Sequence, residues 1–455
     1  MLRLWKKMTK KSIINIIGTT GVGKSQLSIE LAKRFNGEVI NTDSMQMYKG
    51  LDIITNKHPI KEREGIPHHV MNHVDWKDEY FLHTFEKEAL KAIEDIHGRG
   101  KIPILVGGTH YYLQSILFHN KVIKTGGSAK DEETSSTLTP HERQMIEGPP
   151  EELIGHLKEL DPIVAEKFHP NDHRRIRRAL EIYLLTKKPA SAYYDRQREE
   201  ERQQSSLRFN TLNVWLYADQ TVLDARLDSR VDTMLTEGGL DEIQQLYGYY
   251  KSLDSQPNLQ HGVWQVIGFK EFITWLNEPS EESLQAAVEQ MKARTRQYAR
   301  RQVKWIKKVL ANELLKEKAH GYPNGGQIYI LEATNLNQWK ENVTSRALEI
   351  TDAFLEFRHI EQPFASGHLI DLLPQEASSS EKERKKWKHY ECDTCKDADG
   401  NKAIFVGDQY EIHLASRRHR SAMNKLKKRQ EREHYITGKD AMKKAKCDKQ
   451  ESSQI

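Results

Sequence analysis

The eight residues GTTGVGKS, from Gly18 to Ser25, fit the pattern G-x-x-x-x-G-K-[ST] and constrain the chain more than any other feature. They stand directly after SIINIIG, a β-branched run from Ser12 that reads as a buried parallel strand, and directly before KSQLSIELAKRF, which reads as a helix. A strand, a glycine turn and a helix in that order build a phosphate-binding loop, whose backbone N–H groups and helix N-terminus face phosphate oxygens. Gly18, Thr19, Thr20, Gly21, Val22 and Gly23 form the loop, Lys24 supplies a point charge, and the Ser25 hydroxyl suits Mg2+. The competing reading is a purely structural glycine-rich turn.

The alternation of strand and helix continues downstream. EVINTD reads as a second strand and KIPILV as a third; between them Phe85, Ala89, Leu90, Ile93 and Ile96 share one helical face, which Gly98 and Gly100 end. This predicts an α/β fold with a P-loop NTPase-like parallel sheet and a ligand edge at the strand C-termini. A polar Gly/Ser/Thr stretch at 124–140 breaks the pattern, and the sequence to about residue 205 is helical with no strand signal. The stretch from Asn171 begins with capping residues and runs as a helix with Ile176, Leu180, Tyr183 and Leu184 on the buried face, and LNVWLYA at 212–218 then resumes the α/β pattern. The expected division is a core over 12–121 and 206–358, an all-helical insertion over 122–205, and a linker over 359–385.

The loop alone does not say whose phosphates it holds. The usual NTPase partner, an apolar strand ending in Asp, is absent, because KIPILVGG ends in glycines. Asp43 instead ends the second strand, at the same sheet edge, where a carboxylate can hold a hydroxyl, bind metal or accept a proton.

Seven blocks follow in order: GTTGVGKS, NTDSMQMYKGLDIITNK, IPHHVMNHVD, ILVGGTHYYLQSIL, NDHRRIRRALEIY, HGVWQVIGFKEF and TRQYARRQVKW. With them, over about residues 12–310, the chain resembles the tRNA dimethylallyltransferases, also called tRNA isopentenyltransferases. The resemblance implies transfer of the dimethylallyl group of dimethylallyl diphosphate to N6 of the adenosine on the 3′ side of the anticodon, giving N6-isopentenyladenosine and diphosphate. It implies Asp43 as general base, Thr20 as a phosphate-contacting threonine, and Arg230, in RVDTML, as an arginine that reaches the diphosphate. Taken without the family, Arg230 is a helix-surface arginine. Asp43, Ser44, Met45 and Gln46 match the segment that lies against the target adenosine, which must leave its stack to be alkylated. The chemistry suits these residue types: a diphosphate leaving group needs its charge neutralised, and the amine must lose a proton.

Two arginine clusters match RNA-facing blocks of the same family. Arg174, Arg175, Ile176, Arg177 and Arg178 fall where relatives meet the anticodon loop; relatives commonly have Gln in place of Arg174, so a phosphate contact is expected there rather than base reading. Arg294, Arg296, Arg300 and Arg301, with Lys304, match the family's tRNA-side helix, in which Met291, Thr295, Tyr298, Gln302 and Trp305 share the other face. Taken alone, such charge runs mark solvated faces.

Charge is unevenly distributed along the chain. The net charge is +5, yet residues 381–455 hold 20 basic and 13 acidic side chains, so the rest of the chain is slightly acidic. That tail contains Cys392-x2-Cys395, a 17-residue gap and His413-x5-His419 on a predicted helix, which predicts a tetrahedral structural Zn2+ site within 386–430. The gap exceeds the roughly 12 residues of DNA-reading fingers and resembles the longer-loop fingers of RNA-associated proteins; eukaryotic members of the transferase family carry one at this end. Arg417, Arg418, Arg420, Lys425, Lys427, Lys428 and Arg429 follow as a stripe suited to phosphates, ahead of a basic tail over 431–455. Cys447 receives no role.

Three cysteines exclude a disulfide scaffold, no apolar run approaches the roughly 18 residues of a membrane span, and the leader MLRLWKKMTKK lacks the apolar stretch of a secretory signal. The leader reads as a solvated arm, or as a short mitochondrial presequence that initiation at Met8 removes. The expectation is a cytoplasmic monomer, with mitochondrial and nuclear fractions open, whose partners are the tRNA anticodon stem-loop and dimethylallyl diphosphate. Three other readings stand: an adenylate isopentenyltransferase acting on AMP, ADP or ATP, a P-loop small-molecule kinase, and a zinc-finger RNA-binding protein with an inactive core. The finger and the arginine-rich insertion argue against the first, and the intact loop with Asp43 against the last.

Overall fold

A computed structural model describes residues 11–121, 123, 138–375, 388–397 and 400–451. The leader to residue 10, the polar stretch over 124–137 and residues 376–387 lie outside the described residues. The chain divides into two compact units, Met1–Val122 with Gln197–Ala377, and Ile123–Arg196 with Ser378–Ile455.

The strands are β1 (Ser12–Gly18), β2 (Gly37–Asn41), β3 (His68–His69), β4 (Ile102–Val106), β5 (Asn210–Tyr217), β6 (Gly325–Glu332), β7 (His389–Lys396) and β8 (Lys402–Val406). The principal helices of the first half are α1 (Lys24–Phe35), α2 (Leu82–Gly98), α3 (His110–Leu117), α4 (Pro140–Glu147), α5 (Pro150–Leu160), α6 (Pro162–Lys167), α7 (His173–Thr186) and α8 (Ala190–Gln203). Those of the second half are α9 (Gln220–Met234), α10 (Leu240–Ser252), α11 (Glu281–Trp305), α12 (Arg346–Leu355), α13 (Gln409–Leu414) and α14 (Arg417–Glu451). None is long and apolar enough to cross a membrane, among the described residues.

The first unit is built on a parallel six-stranded sheet in the order β3-β2-β4-β1-β5-β6. Its strands read as near-continuous apolar runs because both faces are covered. Alternate residues serve opposite cores: Ile13, Ile17, Ile40, Leu105 and Trp215 on one face, Ile14, Ile16, Val39, Ile104 and Val214 on the other. On α2, Phe85, Ala89, Ile93 and Ile96 are buried as the helical spacing requires, and Leu90 packs at the margin. The strand β6 carries no expectation from the sequence. Its run GGQIYILE opens with two glycines, a signal that marks turns, and its pairing with β5 provides the strand identity that local propensity does not. The expected linker over 359–385 is packed at its start, where the Ile330 N–H donates to Phe364 O at 2.6 Å and Leu369 is 1% exposed.

Register decides what meets at the sheet edge. Val106 of β4 pairs with Asn41 of β2 and with Ile16 of β1, so the loops after β1, β2 and β4 leave side by side. At the opposite end of β2, Glu38 is 1% exposed and ion-paired to Arg99 and Lys101. Its hydrogen bond to Arg99 is the main reason its carboxyl stays well below the usual carboxylate range.

The second unit is helical with a small hairpin. On α7, Ile176, Ala179, Leu180 and Leu184 pack with Leu153, Leu157 and Phe168, and Tyr183 lies at the margin of that cluster. Asp172 caps α7 by accepting the Arg175 N–H, so it is the capping residue of the stretch from Asn171 and the helix proper starts at His173. The antiparallel pair β7–β8 belongs to this unit. His389 meets Phe168 O at 2.9 Å and His169 meets Ile404 O at 2.9 Å, which ties the hairpin to the turn between α6 and α7.

Candidate functional site

Gly23 sits at φ +96° just before α1, and a Cβ there would stand 2.5 Å from the Trp339 ring, so only glycine lets the loop close under that indole. Lys24 then opens the helix and folds back, donating to Thr19 O at 2.6 Å. The Thr19 hydroxyl is buried with no partner among the described residues, a polar atom left for a ligand. Arg230 of α9 reaches the same loop, its Nη1 lying 3.8 Å from where a Cβ on Gly21 would stand. No carboxylate pairs with it among the described residues, and burial pulls its proton affinity below the ordinary arginine value. Burial likewise pushes Lys24 down to about 8, with Asp43 opposing the shift and Arg230 adding to it. Arg230 is thus no bystander on a helix surface: the fold brings it to the phosphate loop.

Asp43 lies just past the end of β2. Asn41 holds it from both sides, accepting the Asp43 N–H at 2.9 Å and donating to Asp43 O at 3.0 Å and Val70 O at 2.9 Å. The carboxylate accepts the Met45 N–H at 3.0 Å. Burial raises its proton affinity; the Met45 N–H and the Lys24 charge pull the other way. A carboxylate so placed is a stronger base than an exposed one. Of the neighbours that match the family segment, Ser44 is bound to Thr109 Oγ1 through both its N–H and its hydroxyl, at 3.1 Å each, and Gln46 donates to Thr55 O and Asn56 O at 3.1 and 2.9 Å. Their side chains fix the loop that carries Asp43.

The buried face of α11 completes the site with groups that the motif reading did not assign. Gln302 accepts the Thr20 N–H at 2.9 Å and donates to Gly108 O at 3.0 Å, and Tyr298 donates to the same oxygen at 3.1 Å. His110 stacks on Trp305 at 5.3 Å, kept neutral because burial, with Lys24 nearby, pushes it down to about 3. The available signal was polar side chains on the apolar face of an amphipathic helix.

Several of the matched arginines already have protein partners. On α11, Arg296 pairs with Asp228 and Arg300 with Asp224, both from α9, while Arg294 lies 3.8 Å from Glu271. Arg301 and Lys304 are exposed. On α7, Arg175 pairs with Asp172 and covers the Phe168 ring, Arg177 donates to Ile146 O at 3.1 Å, and Arg178 donates to Glu181 at 3.0 Å. Arg174 is exposed. Ile176 is 0% exposed; its side chain belongs to the core of the helical unit and is not available to RNA.

In the second unit Cys392, Cys395, His413 and His419 bring one ligand atom each to within 4.8 Å of one another. His419 Nδ1 lies 3.5 Å from Cys392 Sγ, 3.6 Å from Cys395 Sγ and 3.2 Å from His413 Nε2. Tetrahedral zinc with bonds of about 2.0–2.3 Å has ligand separations of roughly 3.3–3.8 Å; the three His419 separations lie close to that range, and a donor set of two thiols and two imidazoles suits the ion. The two histidines sit on separate helices, α13 and α14, rather than on the single helix expected. Arg417, Arg420, Lys425 and Lys428 line one face of α14, the helix that carries His419.

Residues 46–309 match the family described as IPP transferase. The tRNA dimethylallyltransferase of Saccharomyces cerevisiae is 49% identical over 425 residues, 92% of this chain and 93% of that one. That of Homo sapiens is 36% identical over 435 residues, 92% of this chain and 86% of that one. A solved eukaryotic dimethylallyltransferase acting on tRNA is 48% identical, with a TM-score of 0.79 over 93% of this chain and 99% of the other. With the phosphate loop, Asp43 and Arg230 gathered at one edge and more than half its length matched, the chain belongs to the IPP transferase family.

Proposed function

We propose that this protein transfers the dimethylallyl group of dimethylallyl diphosphate to N6 of the adenosine next to the anticodon of tRNA. One observation carries the reading: the partly buried Asp43 carboxylate and the loop cation Lys24 are close enough to shift each other's proton affinity, while β4 is followed by Gly107 and Gly108 with no carboxylate. A phosphoryl-transfer site would place its metal-binding acid at that strand end. Here the same edge offers a leaving-group cradle and a base.

Loop N–H groups, the Thr19 and Thr20 hydroxyls, Lys24 and Arg230 hold the diphosphate. As its bond to C1 breaks, the electron pair stays on the diphosphate oxygen, where both cations stabilise it. The bond from C1 to N6 forms, and the N6 proton passes to the Asp43 carboxylate. The Ser25 hydroxyl would hold a Mg2+ ion that shares the diphosphate charge, consistent with that ion's habit of taking few protein ligands beside phosphate oxygens. Ser44, Met45 and Gln46 shape the wall beside the adenosine. Arg174 on α7, Arg301 on α11 and the basic face of the zinc-bound α14 supply phosphate contacts; the names of the relatives, which act on tRNA, support that substrate.

Incubation with labelled dimethylallyl diphosphate and tRNA, AMP or neither tests this. Label on tRNA is expected. Label on AMP instead identifies an adenylate isopentenyltransferase, and no transfer to either overturns both.

A further inference from the structure

The site has two halves on different loops, and a single buried amide spans them. Thr20, in the phosphate loop, gives its N–H to Gln302 Oε1 from 282 residues away, and Gln302 Nε2 gives its own to Gly108 O, 194 residues away. Gly108 is the floor under Asp43: a Cβ there would lie 2.5 Å from Gln302 Nε2, 3.0 Å from Asp43 Oδ2 and 3.1 Å from the Tyr298 hydroxyl. Gln302 is 3% exposed, so neither bond competes with bulk water.

The helix that carries Gln302 is itself braced. Arg296 and Arg300 pair with Asp228 and Asp224 on α9, and α9 carries Arg230 to the phosphate loop. One helix therefore references the diphosphate side through Thr20 and α9, and the base side through Gly108. Only a carboxamide suits the position. It must accept at one end and donate at the other, which an ionised glutamate cannot do and which methionine, of similar length, cannot do at either end.

We propose that Gln302 is a positioning residue that sets the spacing between the bound diphosphate and the Asp43 carboxylate while touching neither reacting atom. The inference rests on the transferase reading. The reaction needs C1 within about 3–3.5 Å of N6 as the C1–O bond opens, and a displacement of about 1 Å costs roughly 10²-fold in rate. A gap at that point also admits water. Its oxygen then bonds to C1 as the diphosphate departs, one water proton is lost to solvent, and the products are an allylic alcohol and diphosphate without transfer.

The test uses the full chain as wild type, Gln302→Met and Gln302→Glu, with diphosphate release and dimethylallyl transfer to tRNA measured in the same reaction. For Gln302→Met the expected result is a fall of about 10²-fold in transfer kcat, KM for both substrates within threefold of wild type, and more diphosphate released than dimethylallyl transferred. Gln302→Glu keeps the side-chain shape and is expected to show the same pattern to a smaller degree; it decides alone if Gln302→Met does not fold. Wild-type kcat with one diphosphate per transfer overturns the proposal, as does a loss that lies wholly in KM. A wild-type protein that prenylates no tRNA refutes the transferase reading instead, whereas wild-type transfer with unaffected variants refutes only the role of Gln302.

Discussion

Asp43 and Lys24 share one partly buried electrostatic environment, and the pH dependence of the enzyme should report both. The active form has Asp43 ionised, so activity is gained as pH rises through a value above the ordinary 3.8 of an aspartate, because burial disfavours the charge. The same form has Lys24 protonated, so activity is lost as pH rises through about 8. The profile of kcat/KM for dimethylallyl diphosphate is therefore expected to be bell-shaped, and a flat alkaline limb to pH 10 would remove Lys24 from the role. Asp43→Asn is isosteric and takes away only the base; it should lower single-turnover transfer by about 10²–10⁴-fold while tRNA affinity in filter binding stays within twofold. Loss of binding instead would make Asp43 a recognition residue. Asp43 was legible because it follows a strand, and strand ends define ligand edges. Gln302, Tyr298 and His110 were not, because each lies on a face that helical spacing assigns to packing, and nothing local says which buried polar groups face a site.

At the scale of elements, helices α7 and α11 carry similar charge runs with different outcomes. The partners of Arg296 and Arg300 sit on α9, so those guanidinium groups brace the core as well as carrying charge. Arg174 has no such partner among the described residues and is exposed at the start of α7. Arg174→Ala is expected to weaken tRNA binding alike for different anticodon sequences and to reduce the slope of log affinity against log salt by about 1. A change confined to one tRNA species would mean base reading. Helix α7 itself was legible from its spacing, down to the capping residue Asp172 in the stretch from Asn171. Strand β6 was not: an edge strand that opens on two glycines acquires its identity from β5, which runs beside it.

At the scale of the molecule, the zinc-type cluster does not stand by itself, since its hairpin is tied to the turn that begins α7. Cys392→Ser, or a chelator, should lower the thermal stability of the second unit and weaken tRNA affinity with a shallower salt slope, while kcat at saturating tRNA stays within threefold of wild type. Unchanged binding after metal loss would restrict the cluster to a folding role. The sequence by itself determined the phosphate loop, the alternation of strands and helices, the helical insertion and the cysteine–histidine spacing. The first three depend on residues a few positions apart, where covalent geometry sets distance, and the last on two such pairs separated by 17 residues. Tertiary structure alone decided that Arg230 meets Gly21, that Gln302 joins Thr20 to Gly108, that the α9 aspartates take up arginines of α11, and that the finger hairpin packs on the insertion. Those pairs lie far apart along the chain, where sequence separation carries no information about distance and only the register of the sheet and the packing of the helices bring them together.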